Sequence, residues 1–442
     1  MFSKQQLYKL IIPLIIEQIL AVSVGMADVI MVARVGEAAV SGVALVDTLN
    51  ILLINIFSAL ATGGAVVAAQ YLGQKDEKNA SKSAGQLLLS AGAIAIVITL
   101  ISLVGNKIIL RGIYGSIDAN VMQDASLYFY FTALSFPFLA IYNSGAALFR
   151  AMGNSKISMM VSLIMNIINV VGNAIMIFGL HAGVEGVAIP TLMSRVVAAV
   201  TIIALLHNKE LSIHIEQLLH IGFHWIMIKR ILRIGIPNSL ENSMFQIGKI
   251  LVQGLIASYG TAAISANAIS NNIASIGNIP GAAIGLSMIT VVGQCVGAND
   301  YQQAKQYTIK LMRLSYIIMF FLNVSIIFLA KPMIALYGLS QLTSSTALQI
   351  VIYHSIACVI FWPTSFTLPS ALRASNDVKY TMVTAIASMW LCRIGLSYVF
   401  GSLLGFGVVG VWFAMFTDWI FRGISFTWRF FSGKWKQHGF GY

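Results

Sequence analysis

Several ionisable side chains of this sequence stand in surroundings that offer them little water. Glu17 and Asp28 fall in one apolar run, and Arg195, Glu241, Lys249, Arg393 and Asp418 lie in comparable ones. An ionised group in an apolar medium is costly unless it is paired or hydrated, so each calls for a reason. Asp28 is the most informative. It precedes Gly36 by eight residues, Asn173 precedes His181 by eight, and Thr191 follows Gly183 by eight. At a helical rise of about 1.5 Å per residue, all three lie about 12 Å from the same end of their stretches. Asn169 is one turn deeper, on the face of Asn173. One carboxylate among amide and hydroxyl oxygens suits a proton or a small hard cation such as Na⁺. Polar packing between helices would explain the asparagines and threonine alone, at about 0.6 kcal/mol per contact. An aspartate at the same depth tips the reading towards function.

The elements that hold these residues must be membrane helices. The 442 residues are 58% hydrophobic and only 10% charged, against about a quarter charged in soluble domains. A water-facing surface of this size cannot be built from so few charges. Stretches of about twenty apolar residues fall near 10–34, 46–71, 84–109, 124–147, 158–179 and 185–206. A second set falls near 232–256, 264–292, 311–334, 346–371, 383–404 and 408–430. The sequence therefore predicts an all-α integral membrane protein of twelve transmembrane helices. The first stretch has no small-residue cleavage pattern and is read as an uncleaved helix rather than a signal peptide.

The net charge of +12 is spread in small groups between apolar stretches rather than gathered in a patch that tracks phosphates, so nucleic acid is not an expected partner. With the N-terminus inside, the cytoplasmic segments hold Lys4, Lys9, Lys75, Lys78, Arg150, Arg230, Lys305, Arg373 and further cations. The outer segments hold only Arg34, Lys107, Arg111 and Lys331. That bias places both termini in the cytoplasm of a multi-pass protein of the cell (plasma or inner) membrane. The three cysteines, Cys295, Cys358 and Cys392, lack the spacing of a disulfide framework or zinc site.

The sequence repeats itself at a shift of 224. Pro13 matches Pro237, Glu17 matches Glu241, Gln70 and Gly73 match Gln294 and Gly297, and Asp76 matches Asp300. Gly183 and Gly186 match Gly407 and Gly410. Near Arg150-Ala151 the shift becomes 223, reaching Arg373-Ala374. Two six-helix lobes follow, 1–206 and 232–442, joined by a cytoplasmic linker at 207–231. Having even helix numbers, they should be related by an axis along the membrane normal, an arrangement common in transporters. At the same shift Asp28 falls on Val252, Asn169 on Arg393, Asn173 on Ser397 and Thr191 on Met415. The polar cluster belongs to the first lobe only, so symmetry does not demand it.

Glu17 and Glu241, each four residues after a proline, occur in both lobes. They either attract a cationic substrate, or are packing features kept by duplication, or, for Glu241, pair with Lys249. Asp418 and Arg422 have the spacing of a local ion pair. The histidines His207, His214, His220 and His224 do not form a trustworthy metal-ligand pattern, and a buried, hydrogen-bonded role suits His354. Pro13, Pro137, Pro363 and Pro369 can each bend a helix. No nucleotide-binding loop, HExxH or nucleophile elbow is present, which leaves direct ATP-driven transport and these enzyme classes without support.

The chain resembles the multidrug and toxic compound extrusion (MATE) transporters along essentially its whole length. The resemblance rests on Gly25-Met26-Ala27-Asp28 through Gly36, on Gln70-Tyr71-Leu72-Gly73 and Gln294-Cys295-Val296-Gly297, and on Asn169 to Gly179. It implies a V-shaped bundle and secondary active efflux of organic, mostly cationic, compounds in exchange for H⁺ or Na⁺ by alternating access. No cofactor is implied beyond the coupling ion. In members with a cation site in the N-terminal lobe, the matching positions are Asp28, Asn169, Asn173 and Thr191, which would also be the Na⁺ ligands. Pro13 matches a proline associated with bending of the first helix, and so with gating. The position of Asn173 is often Asp in such members. Another branch uses acidic residues of the seventh and tenth helices, and the tenth stretch here has none.

The expected partners are small organic cations and the lipid bilayer, with a monomer as the working unit. One rival is a lipid-linked oligosaccharide flippase of the same superfamily, which would favour a strongly cationic cavity. Another is an intramembrane enzyme such as a prenyltransferase, which would need paired Asp-rich motifs that are absent.

Overall fold

A computed structural model describes residues 2–115, 118–215 and 222–438. Helices account for nearly all of it. In the first half they are α1 (Lys4–Val32), α2 (Glu37–Gly73), α3 (Glu77–Val104), the short α4 (Asn106–Tyr114), α5 (Ala119–Ala151), α6 (Ser155–Ala174) and α7 (Glu185–Leu206). Then come α8 (Trp225–Ala257), α9 (Thr261–Gly297), α10 (Tyr301–Ala335), α11 (Gln341–Trp362), α12 (Leu368–Ala374), α13 (Val378–Ser388) and α14 (Gly407–Phe431). Wider π-type turns continue α6 through Ile175–Gly179 and α13 through Met389–Gly395 and Tyr398–Leu403. Contacts divide the chain into two compact units, one of Ser3–Ser239 and one built mainly from Leu240 onward.

Ten helices of the described residues are long and apolar enough to cross a membrane, or eleven with the bent pair Ala119–Leu134 and Phe136–Ala151 taken as one span. This is a multi-pass, all-α membrane fold. Twelve spans were expected, and the shortfall has a compositional cause. The 33 residues of α8 are long enough to cross, but Asn238, Glu241, Asn242, Gln246 and Lys249 interrupt their apolar run. The stretch expected at 84–109 also differs: α3 stops at Val104, and Gly105 separates it from α4.

The sequence repeat is written in the backbone. Positive φ at Gly36 (142°), Lys75 (61°), Gly153 (80°) and His181 (51°) recurs at Gly260 (93°), Asn299 (58°), Asn376 (66°) and Gly405 (73°). Glycine at Gly36 and Gly260 meets the steric demand of such a turn without a Cβ penalty. The following helices are capped alike. Asp76 accepts from the Asn79 backbone N–H at 3.0 Å, and Asp300 accepts from that of Gln303 at 2.9 Å. Each carboxylate thus satisfies one orphan donor of a helix N-terminus.

Proline effects are met by hydroxyls on neighbouring helices. Pro137 lies where α5 bends by 46°, and its ring lacks the N–H that would bond Ala133 four residues back. The Thr99 hydroxyl on α3 donates to that Ala133 carbonyl at 2.9 Å instead. Pro13 leaves Lys9 in the same position. There Ser155 Oγ on α6 donates to the Lys9 and Leu10 carbonyls, at 3.2 and 2.6 Å. The helix α1 continues through Pro13 from Lys4 to Val32.

Candidate functional site

Two close approaches set the scaffold of the site. A Cβ on Gly172 would stand 2.8 Å from Pro190 Cβ, so α6 lies directly against α7 at that level. A Cβ on Gly42 would stand 2.8 Å from the Ala125 backbone nitrogen, which draws α2 equally close to α5. Side chains one turn away from these contacts can therefore meet across the helices. Packing of α1 on α6 supplies the remaining wall.

The four expected residues come together. Asn173 Nδ2 donates to Asp28 Oδ1 at 2.8 Å and approaches Asn169 Oδ1 at 3.4 Å. Asn169 Nδ2 donates to Thr191 Oγ1 at 3.0 Å, and that hydroxyl passes its own proton to the Val187 carbonyl at 2.8 Å. The result is one hydrogen-bonded chain across α1, α6 and α7. Asn173 is fully buried, and its Oδ1 has no hydrogen-bond partner. A buried amide oxygen without a donor is an uncommon and costly feature. It suits a bound cation or a protonated carboxyl that it can accept from, so the residues fit the expected coupling ion.

Asp28, Asn169 and Thr191 line a cavity of about 280 Å³. Two of its other walls are Asp47, which sequence reasoning left out, and Arg195, which it placed among the ionisable residues of apolar stretches. Asp47 of α2 accepts from the Tyr128 hydroxyl at 3.2 Å and from Asn50 Nδ2 at 3.3 Å. Arg195 of α7, also in the wall, donates to Ser135 Oγ at 2.6 Å. Two carboxylates, Asp28 and Asp47, against one guanidinium leave one net negative charge on the lining. A low-dielectric cavity with that balance attracts a monovalent cation. Among the described residues no three His, Cys, Asp or Glu side chains gather as a metal site, so any Na⁺ would rely on amide and hydroxyl oxygens.

The two glutamates lie apart from this cavity's lining. Glu17 Oε1 is 3.2 Å from Arg150 Nη1, while its Oε2 accepts from Ser158 Oγ at 2.7 Å. Glu241 Oε1 is 2.6 Å from Arg373 Nη2. The repeat therefore carries a salt bridge, Glu17–Arg150 in one unit and Glu241–Arg373 in the other. The alternative pairing of Glu241 with Lys249 is not adopted. Asp418 and Arg422 form the expected local pair at 2.9 Å. His354 is buried, with its ring edge-on to Trp412 and Trp419. His207 and His214 bond nearby backbone carbonyls, and His220 lies outside the described residues.

The family model MatE matches residues 13–175 and again residues 237–399, two windows displaced by the repeat length of 224. The chain belongs to the MatE family. As a MatE protein it is a transporter, and its activity is not that of an enzyme. Its sequence is 29% identical over 98% of its length to an uncharacterized transporter, YisQ, of Bacillus subtilis (strain 168), covering 95% of that protein. It is 25% identical over 98% of its length to a probable multidrug resistance protein, NorM, of Thermotoga maritima, covering 93% of it. The MatE fold is matched by an outward-facing multidrug resistance MATE family transporter, with a TM-score of 0.91 at 20% identity, over 98% of this chain and 96% of that one.

Proposed function

We propose that this MatE protein is a secondary active multidrug efflux antiporter that exports organic, mostly cationic, compounds in exchange for H⁺ or Na⁺ by alternating access. The observation that carries the coupling mechanism is the hydrogen-bonded set Asp28–Asn173–Asn169–Thr191, of which Asp28, Asn169 and Thr191 line a cavity with one net negative charge. Asp28 is the coupling group. Ionised, it is held by the Asn173 amide and leaves the cavity attractive to a cationic substrate. A proton or Na⁺ at Asp28 removes that attraction and releases the substrate. If the coupling ion is Na⁺, a turn of the Asn173 amide would present its unbonded oxygen beside Asp28, with Asn169 and Thr191 supplying further oxygens. The ion shifts the equilibrium between inward- and outward-open states only through its different affinity for the two. Asp47 and Arg195 keep the lining at one net charge, which matches the exchange of one cation for another.

The same reading counts α8 as a membrane span, because the MatE match restarts at residue 237 within it. That gives twelve spans in two six-helix lobes, 1–206 and 232–442, with 207–231 as a cytoplasmic linker. The basic loop residues favour both termini in the cytoplasm of the cell membrane. A monomer suffices for this scheme, since every coupling residue comes from one lobe of one chain. Glu17 and Glu241, neutralised by Arg150 and Arg373, serve as fixed points of gating rather than as substrate contacts, and Pro13 softens α1 near Glu17. In proteoliposomes, imposed pH or Na⁺ gradients should drive uptake or release of a fluorescent organic cation. Transport indifferent to both gradients would remove the antiport reading.

A further inference from the structure

The C-terminal unit has a cavity of its own at the matching place in the repeat, and its charge is inverted. Its volume is about 50 Å³. Lys249, Val252, Asn271, Arg393 and Met415 line it, and at a shift of 224 these stand where Gly25, Asp28, Asp47, Asn169 and Thr191 line the larger one. Both carboxylates of the first cavity are thus gone, replaced by Val252 and Asn271. Two cations, Lys249 and Arg393, have been added.

Nearby anions do not balance this charge. Lys249, Arg393 and Arg422 all face the ring of Phe245, at 5.9, 5.2 and 5.2 Å from its centroid. Among the described residues the carboxylate beside them is Asp418, bonded to Arg422 at 2.9 Å and 3.9 Å from Arg393. Three cations against one carboxylate leave two net positive charges among apolar helices. Arg393 has a buried Nε without a hydrogen-bond partner, and its Nη2 points at Met415 sulfur at 3.0 Å, a weak acceptor. Lys249, at the exposed side of the cavity, forms no ion pair among the described residues. Stacking on Phe245 contributes to holding each cation, but it does not remove mutual repulsion between them. Arg393 shares Asp418 with Arg422 and reaches it only at 3.9 Å, so its charge on this small cavity is partly neutralised at most, and Lys249 adds a second positive charge beside it.

We infer that this C-terminal cavity binds a small monoanionic group, either a carboxylate or a halide, between Lys249 and Arg393. The planar guanidinium and the neighbouring ammonium suit a carboxylate oxygen pair or a single halide. The volume admits only a few water-sized atoms, so a carboxylate enters as the end of a larger compound or as a free small acid. Trp412 also lines the cavity, donating to Asn267 at 3.0 Å, and so provides an optical probe.

The test is iodide quenching of tryptophan fluorescence in the purified full-length protein at constant ionic strength, with methanesulfonate, neither a carboxylate nor a halide, as the balancing anion. A saturable component should appear in the wild type, be lost in Trp412→Phe, and weaken at least tenfold in Lys249→Gln and Arg393→Gln. It should persist in Asp28→Asn, which separates this site from the coupling site. Because Lys249 is exposed, its variant remains informative if Arg393→Gln does not fold. Acetate that displaces iodide identifies a carboxylate site, and chloride that displaces it where acetate fails identifies a halide site. Quenching that is linear in iodide, and equal in wild type and Lys249→Gln, would overturn the inference.

Discussion

Asn173 donates its side-chain N–H to Asp28 across 2.8 Å, tying α6 to α1 through an amide whose own oxygen is left unbonded. A hydrogen bond to a charged group contributes about 1.5–3 kcal/mol, enough to favour one arrangement of the two helices over another. Neutralising Asp28 weakens that tie. Under the proposed mechanism, an ion that neutralises Asp28 would therefore act on helix packing as well as on substrate attraction.

The Asn173→Ala variant should keep Asp28 but lose the link to α6. Gradient-driven efflux is expected to fall by roughly tenfold or more, equivalent to about 1.4 kcal/mol, with expression and folding little changed. Initial rates in proteoliposomes check this. An unchanged rate would make the amide a packing residue only.

Asp47 sets the charge of the cavity without touching Asp28 through any hydrogen bond recorded among the described residues. Asp47→Asn brings the lining from one net negative charge to none. The expected result is a raised KM for organic cations, while the response to an imposed gradient survives. Kinetic constants for counterflow, measured with and without a gradient, separate the two effects.

The repeated salt bridges are predicted to stabilise the fold. Removing one partner leaves the other charge partly buried, which in buried sites costs about 3–5 kcal/mol. The residual exposure of Arg373 and Glu241, 14% and 7%, reduces this to about 2–3 kcal/mol after solvent screening. Arg373→Ala should lower the Tm of the purified protein, and the double variant Arg373→Glu with Glu241→Arg should recover part of the loss. Lys249→Gln should leave this bridge untouched.

Outside the membrane, Asp76 offers a pH test. The Asn79 backbone and side-chain N–H groups donate to its carboxylate and hold its pKa below the usual aspartate range. A depressed folded-state pKa stabilises the protein above the unfolded value, and the contribution is lost as pH falls through the folded one. The Tm difference between wild type and Asp76→Ala should therefore be constant near neutrality and shrink below about pH 4. A difference that grows on acidification would contradict the cap.

The meeting of Asp28, Asn169, Asn173 and Thr191 was legible in the sequence because depth in a membrane helix follows from residue counts alone, and three short counts converged. Asp47 escaped the same logic for a definite reason. Hydropathy placed the start of the second span near residue 46, which made Asp47 a terminal residue, whereas α2 begins at Glu37 and carries it ten positions in, on the cavity wall. Arg195 was noticed but could not be placed, since its partner Ser135 lies on another helix. The glutamate bridges were within reach. Glu17 and Glu241 and Arg150 and Arg373 all appeared among the repeated positions, yet their contact joins helices far apart in sequence. The span count fell short because α8 carries polar side chains where hydropathy demands apolar ones.

The most direct test of the central claim is gradient-driven efflux by Asp28→Asn in proteoliposomes, measured beside the wild type with equal amounts of inserted, folded protein. A neutral amide keeps the size of the carboxyl and removes its charge and its titratable proton. Transport driven by either the H⁺ or the Na⁺ gradient is predicted to fall at least tenfold, with substrate binding still measurable. Wild-type rates in that variant would contradict Asp28 as the coupling group.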